Sequence, residues 1–127
     1  MPDEDTGETG FEDEDYCYLT TTGRRSGRPH RIEIWFAAHG RTLYLLAGGG
    51  GSSDWVRNLV ADPAVTLELG GEVHSARARL VEDSDEDELA RSLVAGKYQA
   101  RTSDDLSSWR VRALPVALDL DPDLDSH

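Results

Sequence analysis

The sequence predicts a mainly β domain of the α+β class, a small antiparallel β-barrel with peripheral helices. Three observations lead there. Short runs of β-branched, aromatic and alternating residues recur along the chain, most of them ended by a glycine or an Asp-Pro turn. Two stretches of helical periodicity are inserted among those runs. The 127 residues contain no internal repeat and no dividing linker, and a chain of this length buries a core without disulfides or metals.

Met1–Asp15 carries eight acids and no base, so a disordered tail is expected there. Tyr16–Thr22 is the first strand, favoured by its aromatic and β-branched residues. Gly23 and Gly27 punctuate the turn that follows. Pro29–Ala38 alternates, with Ile32, Ile34 and Phe36 on one face and Arg31, Glu33 and Trp35 on the other, and is expected as one half-buried strand. A hairpin at His39-Gly40 leads into a third strand, Thr42–Ala47, so the simplest start is a meander. Gly48–Gly51 ends regular structure. Ser52 or Ser53 then caps a short helix, with Asp54 in its first turn and Trp55, Leu59 and Val60 on its buried side. Asp62-Pro63 stops that helix. Val65, Leu67 and Leu69 lie on one face of a fourth strand, Gly70-Gly71 turns, and Val73–Val81 is the fifth. Glu82–Gly96 is an amphipathic helix with Leu89, Leu93 and Val94 inward, Lys97–Ser108 is irregular or short-helical, and Trp109–Leu120 is the last strand. The folded unit is thus residues 16–120, followed by an acidic tail over 121–127.

Net charge is −12, but its sign is unevenly spread: residues 20–60 hold six arginines against Glu33 and Asp54. A positive face on a strongly negative protein suits a small anionic ligand; a nucleic acid would be repelled by the rest of the surface. No apolar run approaches the roughly 20 residues of a membrane span, and the acidic start is unlike a signal peptide. The single Cys17 cannot form an internal disulfide, which favours a cytoplasmic location; its acidic flanks suggest an inert strand cysteine.

Most of the chemistry lies in Leu19–Ile34, where a tight Gly-Ser-Gly turn gathers Arg24, Arg25, Arg28 and Arg31. Glycine lets backbone N–H groups approach an oxyanion, and Arg24 and Arg25 add forked donors for phosphate or carboxylate, with Ser26 offering a hydroxyl beside Gly27. An ordinary hairpin of solvated arginines has the same pattern. The second feature is Ala47–Asp54, AGGGGSSD, whose exposed amides beside a helix start favour anions and the close approach of a ring. It matches neither a Walker loop nor a dinucleotide fingerprint, and a flexible connector is the plain alternative. His30, His39, His74 and His127 are scattered without metal-ligand spacing, although His30 adjoins the arginine turn. No nucleophile elbow is present, so a hydrolase is rejected. Tyr98 could supply a phenolic proton or shape a substrate pocket; an aromatic plug is the alternative.

These residues carry a resemblance. LTTTGRRSGRPHR, a strand pair and then AGGGGSSDWVRNLVADPAVTLELGGE resemble the deazaflavin-dependent nitroreductase family. The shared order is threonines with Gly-Arg-Arg-Ser-Gly, the Gly-rich loop, Trp55 and Asn58 on a short helix, and Asp62-Pro63-Ala64-Val65. The resemblance spans about Tyr18 to Leu120 and implies a six-stranded antiparallel split β-barrel with two or three helices. It implies coenzyme F420 as cofactor, its anionic tail held by Arg24, Arg25, Ser26 and Gly27 with help from His30 and Arg31. Ala47, Gly48, Gly49, Gly50, Gly51 and Ser52 would line the deazaflavin ring, with Trp55 and Asn58 nearby. The implied reaction passes a hydride from the reduced cofactor to a nitro compound, quinone or other activated small molecule. Tyr98 is the candidate catalytic residue. Val56-Arg57 departs from the aromatic-His pair often found before that Asn, and the aromatic segment on the substrate side is reduced to Tyr98 and Trp109. FMN in the same barrel, and a non-catalytic carrier or sensor of cofactor or lipid, are the alternatives. Self-association as a homodimer stays open.

Overall fold

In the computed structural model, residues 14–121 are described. The strands are β1 (Cys17–Thr22), β2 (Pro29–Ile34), β3 (Ala37–His39), β4 (Thr42–Ala47), β5 (Ala64–Leu69), β6 (Glu72–Leu80) and β7 (Leu114–Leu120). The helices are α1 (Asp54–Ala61), α2 (Ser84–Gln99) and α3 (Ser107–Arg112), with a short 3-10 turn at Gly50–Ser52 before α1. The seven strands form one antiparallel sheet in the order β2-β1-β5-β6-β7-β4-β3.

That order corrects the expected meander. The alternating segment Pro29–Ala38 is not one strand: it breaks at Trp35-Phe36, and its halves lie at opposite edges of the sheet. Two residues therefore bridge the first and last strands, and the sheet curls into a split barrel of seven strands in place of six. Phe36, fully buried at the bridge, enters the barrel interior beside Leu19, Leu43, Leu67 and Leu118. Burying a side chain of that size contributes roughly 1.5–3 kcal/mol, which favours the break over a continued edge strand.

A second apolar layer lies between the sheet and the helices, built from Ala37, Tyr44, Leu46, Val94, Tyr98 and Ala117. Strands β4 and β7 are covered on both faces, by the barrel interior and by the helical layer, which is why they are nearly continuous apolar runs (TLYLLA and LPVALDL). In β6 the inward positions are the small Ala76 and Ala78, and Arg77 and Arg79 face out.

Helix α2 starts where Asp83 accepts the Glu86 N–H at 2.9 Å, and acids fill its first turn, favourable at a helix N-terminus. Its buried residues are Ala90, Val94, Ala95 and Tyr98, with Leu89 and Leu93 only partly covered, and it runs to Gln99, past the expected Gly96. Arg79 ties this start to the sheet, bonding both Glu86 oxygens (2.8 and 2.7 Å) and Asp119 (2.7 Å). In α1 the buried residues are Val56, Asn58 and Leu59; Trp55 packs partly against the core and Val60 is exposed, which corrects the expected face.

The expected strand over Trp109–Leu120 begins as helix α3. Arg91 donates to the carbonyls of Arg110 and Val111, satisfying the end of a helix too short to hold itself. Of the expected N-terminal tail, residues 1–13 lie outside the described residues, as do 122–127. Asp15 is anchored: its carboxylate pairs with Arg101 at 2.5 Å and its carbonyl accepts from Tyr98. Among the described residues no helix is long and apolar enough to cross a membrane, and no cluster of potential metal ligands occurs.

Candidate functional site

The arginine turn joins β1 to β2. Gly23 N–H donates to the Arg28 carbonyl (2.8 Å), Gly27 N–H to the Gly23 carbonyl (2.9 Å), and Gly27 has φ +73°, a conformation that favours glycine. A Cβ at Gly23 would lie 2.6 Å from His30 Nε2 and 2.8 Å from Ser26 Oγ, so the missing side chain is what lets these two groups close over the backbone. The turn borders a cavity of about 280 Å³ shared with Asp54 and Asn58 of α1. Ser26 Oγ accepts the Arg28 N–H at 3.1 Å, and among the described residues its own hydrogen has no acceptor.

The four arginines divide sharply in what they touch. Arg24 is engaged: its N–H and its Nη1 both donate to Asn58 Oδ1 (3.1 and 2.9 Å), and Nη2 reaches Asp54 Oδ1 at 3.3 Å. Asn58, buried at 3% exposure, donates in turn to Thr21 Oγ1 (3.2 Å). This polar brace fixes the turn to α1. Arg31 lies on the opposite face of β2 from His30; it pairs with Glu68 at 2.7 Å and sits 4.1 Å over the Tyr18 ring. Arg31 is thus engaged with Glu68 and Tyr18 rather than with the turn. Arg25 and Arg28 are exposed and, among the described residues, their guanidiniums have no acidic partner or side-chain hydrogen bond. They are the cations left available to an anion.

The glycine loop lies between this turn and an aromatic cavity. Gly51 shares a surface groove with Arg24 and Arg57. At the other end, a Cβ at Gly48 would lie 3.5 Å from Trp109 Nε1. Gly50 has φ +61°, and Ser52 Oγ closes the loop onto the Gly49 carbonyl at 2.7 Å. Gly48, Gly49, Gly51 and Ser52 are exposed, whereas Ala47 is 2% exposed in β4 and Trp55 packs against the core. Those two do not line the arginine cavity.

The aromatic cavity measures about 440 Å³ and is walled by Trp35, Trp109, Leu46, Leu106, Ile34 and Tyr16, with Glu33 at its edge. Trp109 meets Trp35 edge to face (5.6 Å, 85°), and Trp35 stacks flat on Tyr98 (4.2 Å, 1°). Sequence reasoning missed Trp35. The available signal was a tryptophan on the polar side of an alternating strand, directly before the residue where that strand breaks.

Tyr98 stands behind the cavity wall. It is 2% exposed, its hydroxyl is held by Phe36 N–H (3.0 Å), the Phe36 carbonyl (3.0 Å) and the Asp15 carbonyl (2.5 Å), and burial pushes its pKa up to about 12. A phenol so enclosed is no proton donor to a bound substrate, which corrects the expected catalytic role; the plug alternative describes it better. Cys17 is fully buried, and burial raises its thiol to about 12, in keeping with an inert cysteine.

The family model for F420H(2)-dependent quinone reductases matches residues 3–121 of this chain. An F420H(2)-dependent quinone reductase of Mycobacterium tuberculosis is 26% identical over 103 residues, covering 79% of this chain and 69% of that protein. A solved F420-H2 dependent reductase superposes with a TM-score of 0.68 at 19% identity, over 84% of this chain and 95% of that one. A conserved hypothetical protein of M. tuberculosis gives 0.70 at 19% identity, over 87% and 76% of the two chains. At such identities the structures establish the shared split-barrel fold. The match over nearly the whole chain makes this protein a member of the F420H(2)-dependent quinone reductase family, oxidoreductases whose cofactor is coenzyme F420.

Proposed function

We propose that the protein binds reduced F420 along the path from the arginine turn past the glycine loop, and reduces a planar activated acceptor, a quinone or nitro compound, in the aromatic cavity. The observation that carries this reading is that the two ends of the glycine loop touch the two sites. Gly51 lies beside Arg24 at one end of the loop, and Gly48 abuts Trp109 at the other. An elongated ligand anchored by its anionic tail at Arg25 and Arg28 would bring its far end to the cavity.

The residues fit such a cofactor. Arg25, Arg28 and the free hydrogen of Ser26 supply anion donors, and the absence of a side chain at Gly23 lets Ser26 and His30 close over the turn. The exposed glycines of the loop admit a flat ring without side-chain collision. Bound there, the reduced deazaflavin would supply the hydride. The chain's own contribution is positioning and water exclusion: the indoles of Trp35 and Trp109 offer flat and edge contacts to a planar acceptor, in a cavity within the usual size of small-molecule sites. Hydride transfer to a quinone needs little acid–base help, so positioning carries most of the chemistry.

Fluorescence titration with F420 at two salt concentrations, followed by turnover with menadione, tests this reading. Tight binding that weakens with salt and with Arg25→Ala/Arg28→Ala, together with menadione reduction, is expected. Undiminished binding in that double variant would remove the tail site, and absence of turnover with quinones and nitroaromatics would remove the acceptor.

A further inference from the structure

Where the sheet splits, the peptide groups of the bridge lose their ladder partners. The N–H and C=O of Phe36 fall between β2 and β3, at opposite edges of the sheet, and both are buried with the side chain. A buried backbone group without a partner is costly, so something outside the sheet must satisfy them. The last turn of α2 does so. Tyr98 Oη accepts the Phe36 N–H at 3.0 Å, and Lys97 Nζ donates to the Phe36 carbonyl at 3.0 Å while resting 3.8 Å over the Phe36 ring. The Tyr98 hydroxyl also reaches the Asp15 carbonyl, and Arg101 pairs with the Asp15 carboxylate.

We infer that Lys97 and Tyr98 form a latch across the barrel seam that positions Trp35 and Tyr16 as walls of the aromatic cavity. Trp35 precedes the latched residue and lies flat on the Tyr98 ring, 4.2 Å between centroids and 1° from parallel. Tyr16 follows the latched Asp15. Two walls of the cavity are thereby held by one helix end, although neither wall belongs to that helix. Lys97 is the chain's only lysine. A compact ammonium on a flexible stem suits a single carbonyl flanked by a ring, a place where a planar guanidinium fits less well. Lys97 and Tyr98 act here through Trp35 and Tyr16; they are positioning residues, and their effect on acceptor selection rests on the acceptor assignment proposed above.

The test uses the full-length protein as wild type, Tyr98→Phe and Lys97→Met, the second leaving the whole Tyr98 contact intact in case the first folds poorly. Amide exchange at Phe36 and the near-ultraviolet circular dichroism of Trp35, assigned with Trp35→Phe, read the latch itself. Menadione KM and kcat, with F420 titration alongside, read its consequence. The expected result is faster Phe36 exchange in Tyr98→Phe, whose hydroxyl holds that amide, and in both variants loss of the Trp35 band and a menadione KM raised about tenfold, with kcat and F420 affinity within about twofold. Unchanged exchange in Tyr98→Phe, or unchanged dichroism in both variants, overturns the latch. Faster exchange in Tyr98→Phe and a lost Trp35 band with an unchanged KM leave the latch standing and overturn the acceptor assignment of the cavity.

Discussion

Replacing Asn58 with alanine removes three hydrogen bonds at once: two from Arg24 to Oδ1 and one from Nδ2 to Thr21. The side chain is 3% exposed and Thr21 is 1% exposed, so water cannot freely replace what is lost at Thr21. The Arg24 guanidinium is partly accessible and retains Asp54, so its loss is softened. Taking about 1 kcal/mol for each bond, with a further 1 kcal/mol or so for the stranded Thr21 hydroxyl, gives roughly 3–4 kcal/mol. For a domain of this size that lowers the melting temperature by about 10–15 °C. Arg24 and the turn it anchors would also lose their fixed relation to α1, so F420 affinity should fall as well. Thermal unfolding by circular dichroism and F420 titration measure the two effects. Arg25→Ala is the contrast, because that exposed guanidinium holds nothing in place: affinity should fall while the melting temperature stays within about 1–2 °C. A change below about 3 °C for Asn58→Ala, with unaltered F420 affinity, would refute the brace.

Further outcomes follow from the same geometry. Glu86 is held down to about 2, chiefly by Arg79 and then by Tyr44, and Arg79 lowers Asp119 as well. Both folded-state values lie below the unfolded ones, so their stabilisation is complete above about pH 4.5 and is lost as pH falls toward about 2. In acid titrations followed by fluorescence, Glu86→Gln should be less stable than wild type at pH 7 and the difference should shrink through that window; a constant difference would contradict the assignment. Cys17, buried with its thiol raised to about 12, should react with a thiol reagent only on unfolding, and prompt labelling of native protein would overturn that placement. At Gly23 an added Cβ presses on two movable side-chain ends, His30 Nε2 and Ser26 Oγ, so Gly23→Ala should cost little melting temperature but weaken F420 binding several-fold. Equal affinity for the two proteins would argue against the cradle.

Periodicity and turn chemistry carried much of the local structure. The strands at Cys17–Thr22, Thr42–Ala47, Ala64–Leu69 and Glu72–Leu80, and the helices α1 and α2, follow patterns visible within a few residues of each element. The family was legible because Gly-Arg-Arg-Ser-Gly, the glycine loop and the Asn on a short helix occur in order, and such motifs survive as local chemistry. Helix α3 was not legible. Trp-Arg-Val-Arg alternates like a strand, and the Arg91 contacts that support its end come from another helix.

The amino-acid sequence by itself thus determined where cations, glycines and apolar faces occur along the chain, since these depend on residue type and spacing. Only the tertiary structure decided which cations remain available. Arg24, Arg25, Arg28 and Arg31 are alike as letters, but Asn58, Asp54 and Glu68 reach two of them from distant segments and leave the other two exposed. The same holds for the aromatic residues. Tyr98 became a buried support and Trp35 a cavity wall because curling the sheet broke an alternating strand at Trp35-Phe36 and brought the end of α2 to the break. Closure of a barrel is a property of the whole sheet, and no local pattern encodes the seam it leaves.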